Sequence, residues 1–208
     1  MKKLLTLLFS LFLLSYPSVF ADDISDFQIE GMSIGDSLLD YMSEDEILSE
    51  IEKNKGGYVH LKESDKYIEV YFFGQFEIYD WISFKVRNKS ESKYVTDKNE
   101  KYTILSIRGQ INYIEDFDSC LIQKDEVLSE LSKVFINAQK SEMVDKHGSD
   151  PSGNSIVDAV LFEYDSGEGA SIYCVNFEET FRLEKNWSEG LNISIKSSEI
   201  NAWLSNYK

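Results

Sequence analysis

Residues 66–87 carry so many β-branched and aromatic side chains (Tyr67, Ile68, Val70, Tyr71, Phe72, Phe73, then Phe76, Ile78, Trp81, Ile82, Phe84, Val86) that paired strands are the structure that accommodates them. A hairpin joining them is expected near Gly74-Gln75. Further along, Leu105, Ile107, Ile111 and Tyr113 alternate with Ser106, Arg108, Gln110 and Asn112, the period of a strand with one buried and one wet face. Residues 156–164 and 170–177 form another strand pair around Asp165-Ser166-Gly167-Glu168-Gly169, and Leu191, Ile193 and Ile195 alternate with Asn192 and Ser194. Strands that arrive as neighbours, rather than alternating with helices, predict an α+β fold on an antiparallel sheet.

Two amphipathic helices and a short C-terminal helix complete the expected fold. Ser43-Glu44-Asp45-Glu46 is a capping box in front of Ile47, Leu48 and Ile51, with Lys53, Lys55, Gly56 and Gly57 as the stop. A second helix over about 124–137 places Val127, Leu128, Leu131, Val134 and Phe135 on one face, and Ile200, Trp203, Leu204 and Tyr207 share a face at the end of the chain. Residues 89–101 are polar and read as a surface loop; 141–155, with Gly148, Pro151 and Gly153, read as another. Asp45-Glu46-Ile47-Leu48-Ser49-Glu50-Ile51 matches Asp125-Glu126-Val127-Leu128-Ser129-Glu130-Leu131 with conservative apolar swaps. A duplicated α-β-β unit, with halves 43–113 and 122–208, would explain the match; chance recurrence of acidic first turns before apolar helical positions is the simpler account.

The first 21 residues read as a signal peptide. Lys2 and Lys3 precede the apolar run 4–14, and Pro17, Val19 and Ala21 form a cleavage region ahead of Asp22. The run is too short to span a bilayer, no cysteine follows it for lipid attachment, and 22–208 is expected to be one secreted α+β domain, extracytoplasmic in the periplasm or beyond. The sequons at Asn88, Asn186 and Asn192 matter only in a eukaryotic host, and the brief Leu/Phe-rich leader leans bacterial. Net charge is −16 with the leader and more negative without Lys2 and Lys3; Arg87, Arg108 and Arg182 are scattered. Such a field disfavours nucleic acid and anionic membrane surfaces as partners. The two histidines and two cysteines stand far apart in the chain and lack the spacing of a closed zinc site, and no cofactor is expected. Export leaves Cys120 and Cys174 one intramolecular pairing, an expected structural disulfide.

Gly35-Asp36-Ser37-Leu38 resembles the nucleophile block of the GDSL esterases and lipases, which would make Ser37 the catalytic residue. That family also needs a glycine-x-asparagine block, for which Gly190-Leu191-Asn192 is misplaced, and a late Asp-x-x-His. His60 and His147 lack the aspartate, and a serine without a base is a poor nucleophile at neutral pH. The structural alternative is a turn at Gly35 followed by a cap from Asp36 or Ser37 on a short helix through Tyr41. The longer opening Ile29-Glu30-Gly31-Met32-Ser33-Ile34-Gly35-Asp36-Ser37-Leu38-Leu39-Asp40-Tyr41, together with Cys120, Cys174 and Trp203-Leu204, resembles a group of uncharacterised small secreted proteins of marine bacteria; the resemblance implies no activity.

Three further clusters invite function. Residues 145–150, with Asn154 and Ser155, gather carboxylates, His147 and hydroxyls in one loop. Asp165 and Glu168 offer oxygen ligands to calcium, without EF-hand spacing. Tyr71, Phe73, Phe76, Tyr79 and Trp81 could wall a ligand groove, although core packing is the default for aromatics at strand spacing. With no catalytic set complete, the chain reads as an exported non-catalytic protein that binds a small molecule or another envelope protein. The alternatives are a GDSL-like esterase and a calcium-stabilised structural module.

Overall fold

An antiparallel sheet of seven strands organises the computed structural model, which describes residues 24, 27–54, 66–74, 76–87 and 101–206. The leader and its cleavage site, His60, Asn88 and Tyr207 lie outside the described residues. A two-stranded ribbon, β1 (Gln28–Ile29) and β2 (Met32–Ser33), leads through a 3-10 turn (Leu38–Asp40) to α1 (Glu44–Asn54). Then come β3 (Tyr67–Phe72), β4 (Trp81–Arg87), β5 (Thr103–Asn112), α2 (Phe117–Val134), β6 (Gln139–Lys146), β7 (Ile156–Glu163) and β8 (Gly169–Asn176). The chain ends with α3 (Glu179–Lys185), β9 (Gly190–Lys196) and α4 (Ser198–Asn206). The strand order is β3-β4-β5-β9-β8-β7-β6, every pair antiparallel.

The pleat sorts the side chains onto two unlike faces. Val70, Ile82, Phe84, Ile107, Ile193, Ile172 and Val160 form the inner face, and with Leu38, Ile47, Val127 and Leu131 they make the main core. α1 lies against β3, and α2 against β8 and β9, on this side. The outer face is more polar; its apolar parts include an aromatic patch of Tyr71, Phe73 and Trp81 and a small second core where Ile200, Trp203 and Leu204 of α4 meet Tyr67 and Leu105. That packing is tied down by Arg87, which pairs with Glu199, and by Tyr67 Oη donating to Glu199 at 2.8 Å.

Local chemistry explains most boundaries. The capping box is made: Ser43 N donates to Glu46 Oε2 at 2.9 Å and Glu46 N to Ser43 Oγ at 3.3 Å. Gly190, at φ +141°, lies so close to β5 that a Cβ there would collide with the Ile111 carbonyl and the Tyr113 nitrogen, which is why β9 can enter the middle of the sheet. Three expectations are corrected. Residues 141–146 are not loop: β6 runs through Lys146 with all eight residues exposed, the end strand of the sheet among the described residues, which buries no alternate side chain and so shows no period-2 pattern. α2 starts at Phe117, capped by Asp116 through the amide of Ser119 at 3.2 Å, so Cys120 lies inside the helix rather than before it. α3 was not anticipated; Glu178 accepts from Phe181 N at 2.7 Å and Asn186 closes it in the left-handed region.

Each of the two longer helices precedes a meander that begins at an outer strand and runs inward, and β5 and β9 meet at the centre. The similar heptapeptides therefore occupy like places in the order of elements. Their helices are nevertheless set differently, α1 beside an outer strand and α2 across inner ones.

Candidate functional site

Strand register puts three consecutive cross-strand rows on the outer face. The first is Glu69, Lys85, Ser106, Lys196 and Gly169; the second Tyr71, Ser83, Arg108, Ser194 and Ser171; the third Trp81, Gln110, Asn192 and Tyr173. Where the first two rows cross β4, β5, β9 and β8 there is a pocket of about 230 Å³. Three cations, Lys85, Arg108 and Lys196, and four serine hydroxyls face it, with Tyr173 on one side and Leu204 of α4 on another.

Two of the cations share one buried carboxylate. Lys85 Nζ lies 3.3 Å and Arg108 Nη2 3.6 Å from the same Oε1 of Glu69, a carboxylate whose side chain is 1% exposed. Among the described residues Lys196 forms no ion pair. Burial pushes the Lys196 ammonium below its usual range, and the nearby charges of Lys85 and Arg108 push the same way. Burial likewise lowers Lys85, more than Glu69 restores it. Arg108 is held in place: its Nε donates to Ser83 Oγ at 3.2 Å, and its guanidinium lies over the Trp81 ring, 5.1 Å from the centroid. Among the described residues two carboxylates act on the three cations, Glu69 on Lys85 and Arg108 and the more distant Glu163 on Lys196, and no side chain lining the pocket is acidic. A partly dehydrated cluster of one sign is costly, and an anion entering among hydroxyl donors would relieve it.

The residues singled out from sequence are distributed differently. Tyr71, Phe73 and Trp81 share the outer face, with Phe73 stacked on Tyr71 at 6.2 Å and Trp81 5.6 Å from Tyr71. Tyr79 and Phe76 do not join them; both pack against the main core, so the expected groove is divided between two faces. Gly109 makes room for Tyr79, since a Cβ there would stand 2.5 Å from the ring. Ser37 is buried, caps the 3-10 turn through the amide of Leu39 at 3.3 Å, and donates its proton to the Lys101 carbonyl at 3.0 Å. Ser37→Ala is therefore expected to lower stability by about 1 kcal/mol. Urea unfolding with a midpoint equal to that of the parent would show that the cap contributes nothing.

Asp165 accepts from Gln139 at 3.3 Å and Glu168 from Ser166 at 3.5 Å. No group of three or more His, Cys, Asp or Glu side chains is placed to hold a metal among the described residues. In the 145–155 region the polar groups serve one another. Asp150 accepts from the amides and hydroxyls of both Ser152 and Ser155 at 2.7–2.9 Å. Burial opposes its ionisation, but those hydrogen bonds outweigh it and hold the carboxyl well below the usual range. His147 packs edge-on against Phe177 and Trp187 at 4.9 and 5.7 Å. Cys120 and Cys174 are joined, with Cα atoms 6.0 Å apart, both fully buried.

Sequence reasoning missed the three cations because they stand far apart in the chain and each looks like an ordinary wet-side residue. The available signal was the alternation itself, which put Ser106 and Arg108 on one face of β5 and Ser194 on one face of β9. No protein-family model, curated protein or solved structure matches this chain.

Proposed function

We propose that this protein is an extracytoplasmic, non-catalytic binding protein whose ligand is a small anion held in the outer-face pocket. The observation that carries the reading is the convergence of Lys85, Arg108 and Lys196 with serine hydroxyls on one carboxylate-poor cavity. Every polar side chain lining it can donate a hydrogen bond, and cation-assisted hydrogen bonds are the strong ones. The disulfide supports an oxidising compartment, as does the leader read from sequence. Among the described residues no helix is long and apolar enough to cross a membrane. The esterase alternative gains no support from Ser37, whose hydroxyl faces the Lys101 carbonyl rather than a base.

Titration with inorganic phosphate at low ionic strength tests the reading. Binding is expected, with a melting temperature that climbs with phosphate concentration because the ligand stabilises only the folded state. Lys196→Gln should abolish most of the shift. Because Lys196 is a cation without an ion pair among the described residues, its removal is expected to leave the unliganded protein at least as stable as the parent, so lost binding would not be lost folding. No phosphate response in the parent, or an undiminished one in Lys196→Gln, would overturn the proposal.

A further inference from the structure

Resting on the anion-pocket reading, we infer that the anion is a short 2-oxo acid, captured reversibly as an imine on Lys196 Nζ while its carboxylate sits with Lys85 and Arg108. All three cations line the pocket, but they are not equivalent. Lys85 and Arg108 reach the Glu69 carboxylate at 3.3 and 3.6 Å, and Arg108 also donates to Ser83 and lies over Trp81. Lys196 forms no ion pair among the described residues, and Glu163 acts on it only from a distance. Its cross-strand neighbours are Ser106 and Gly169, so within its own row nothing bulky stands beside its stem. Lys85 lies across β5 from it, with Ser106 between them. Two strand spacings put their backbones about 10 Å apart, a gap that the two long side chains and a small anion bridge.

An amine attacks a carbonyl only as the free base. Burial, and after it the charges of Lys85 and Arg108, lower the Lys196 ammonium against the weaker pull of Glu163, so more free base is present at a given pH than on an open surface. In the capture step the nitrogen bonds the C2 carbonyl carbon of the 2-oxo acid. The two hydrogens of the amine leave with the carbonyl oxygen as water, and a C=N bond replaces the C=O bond; nothing is oxidised or reduced, and water reverses the step. Ser106, Ser171, Ser194 and Tyr173 line the same cavity, hydroxyls able to pass a proton to the departing oxygen. Once protonated, the imine keeps a positive charge at this position, so capture leaves the cation cluster around the carboxylate intact. Leu204 supplies an aliphatic wall for the carbon tail, and a cavity of about 230 Å³ has space for an acid of three or four carbons.

Pyruvate is the probe, with cyanoborohydride to reduce the imine and peptide mass mapping to locate it on the mature protein in phosphate-free buffer. The reduced adduct adds one pyruvic acid less one oxygen. It is expected on Lys196 and not on Lys85, to fall severalfold when pyruvamide, which has the carbonyl but no carboxylate, replaces pyruvate, and to be suppressed as inorganic phosphate is added in competition. Lys196→Arg keeps a cation but has no amine that can become free base, and should lose the adduct. Mapping and competition on the parent decide the matter even where that variant does not fold. No adduct, an adduct on Lys85 or spread over surface lysines, equal labelling by pyruvamide, or labelling of Lys196 that phosphate does not suppress overturns the imine. The anion pocket then still stands if phosphate raises the parent's melting temperature. If phosphate leaves that temperature unmoved, the pocket reading itself fails.

Discussion

Replacing Cys120 and Cys174 together with alanine is expected to cost about 4 kcal/mol of folding stability, from the chain entropy released when a loop spanning 54 positions is opened. A domain of this size has about 5–15 kcal/mol in total, so the loss is a large share of it. The bond's position argues against a smaller effect. Cys120 is in the first turns of α2, Cys174 is in β8, and the helix lies against β8 and β9, which are inner strands of the sheet. Both sulfurs are inside the main core beside Leu191 and Ile172, so their removal also leaves space that the surrounding side chains fill only in part. Urea unfolding of the oxidised parent and the double variant measures the difference. A loss under about 1 kcal/mol would mean that the unfolded chain gains little freedom without the bond, which the entropy account does not allow.

The same helix shows how far sequence carried the fold. Its apolar face was legible because Val127 and Leu131 repeat at helical spacing, and the sheet was legible because β5 and β9 alternate apolar and polar residues. Its start was not, since Phe117, Asp118 and Ser119 have no periodic signature and the Asp116 cap is one aspartate among many. β6 was hidden for a different reason: its residues are exposed on both faces, so Gln139–Lys146 looks like loop composition until a partner strand is supplied. The candidate site was the least legible part. Its aromatic edge could be proposed from Tyr71, Phe73 and Trp81, but Lys85, Arg108 and Lys196 converge only because β5 pairs with β9, and local pattern does not encode that pairing. Tyr79, two residues before Trp81, shows the converse error, since the segment ahead of β4 departs from the strand's period and its ring turns to the core over Gly109.

Glu69→Gln is expected to destabilise the protein by about 3–5 kcal/mol at neutral pH, the cost of removing one partner from a buried charge pair. Glu69 is the carboxylate that Lys85 and Arg108 share, and Lys85 and Arg108 are themselves only 17% and 23% exposed, so solvent would do little to replace it. Its Oε2 is buried without a hydrogen-bond partner among the described residues, which places its role in its charge rather than in a network of neutral hydrogen bonds. The pH dependence follows from the lysines. Burial holds the folded-state pKa of Lys85 and Lys196 below the ordinary 10.5, so the unfolded chain binds more protons as pH rises, and stability climbs between the folded value and 10.5. Losing Glu69 lowers the folded value of Lys85 further, widening that window, so the variant's deficit should shrink from pH 7 to pH 9. The same substitution makes the pocket more positive, and phosphate should therefore recover more stability in Glu69→Gln than in the parent. Urea titrations at both pH values, with and without phosphate, examine the three expectations together. A variant as stable as the parent at pH 7 would show that Lys85 and Arg108 do not depend on this carboxylate, and a deficit that phosphate leaves untouched would separate Glu69 from the anion site.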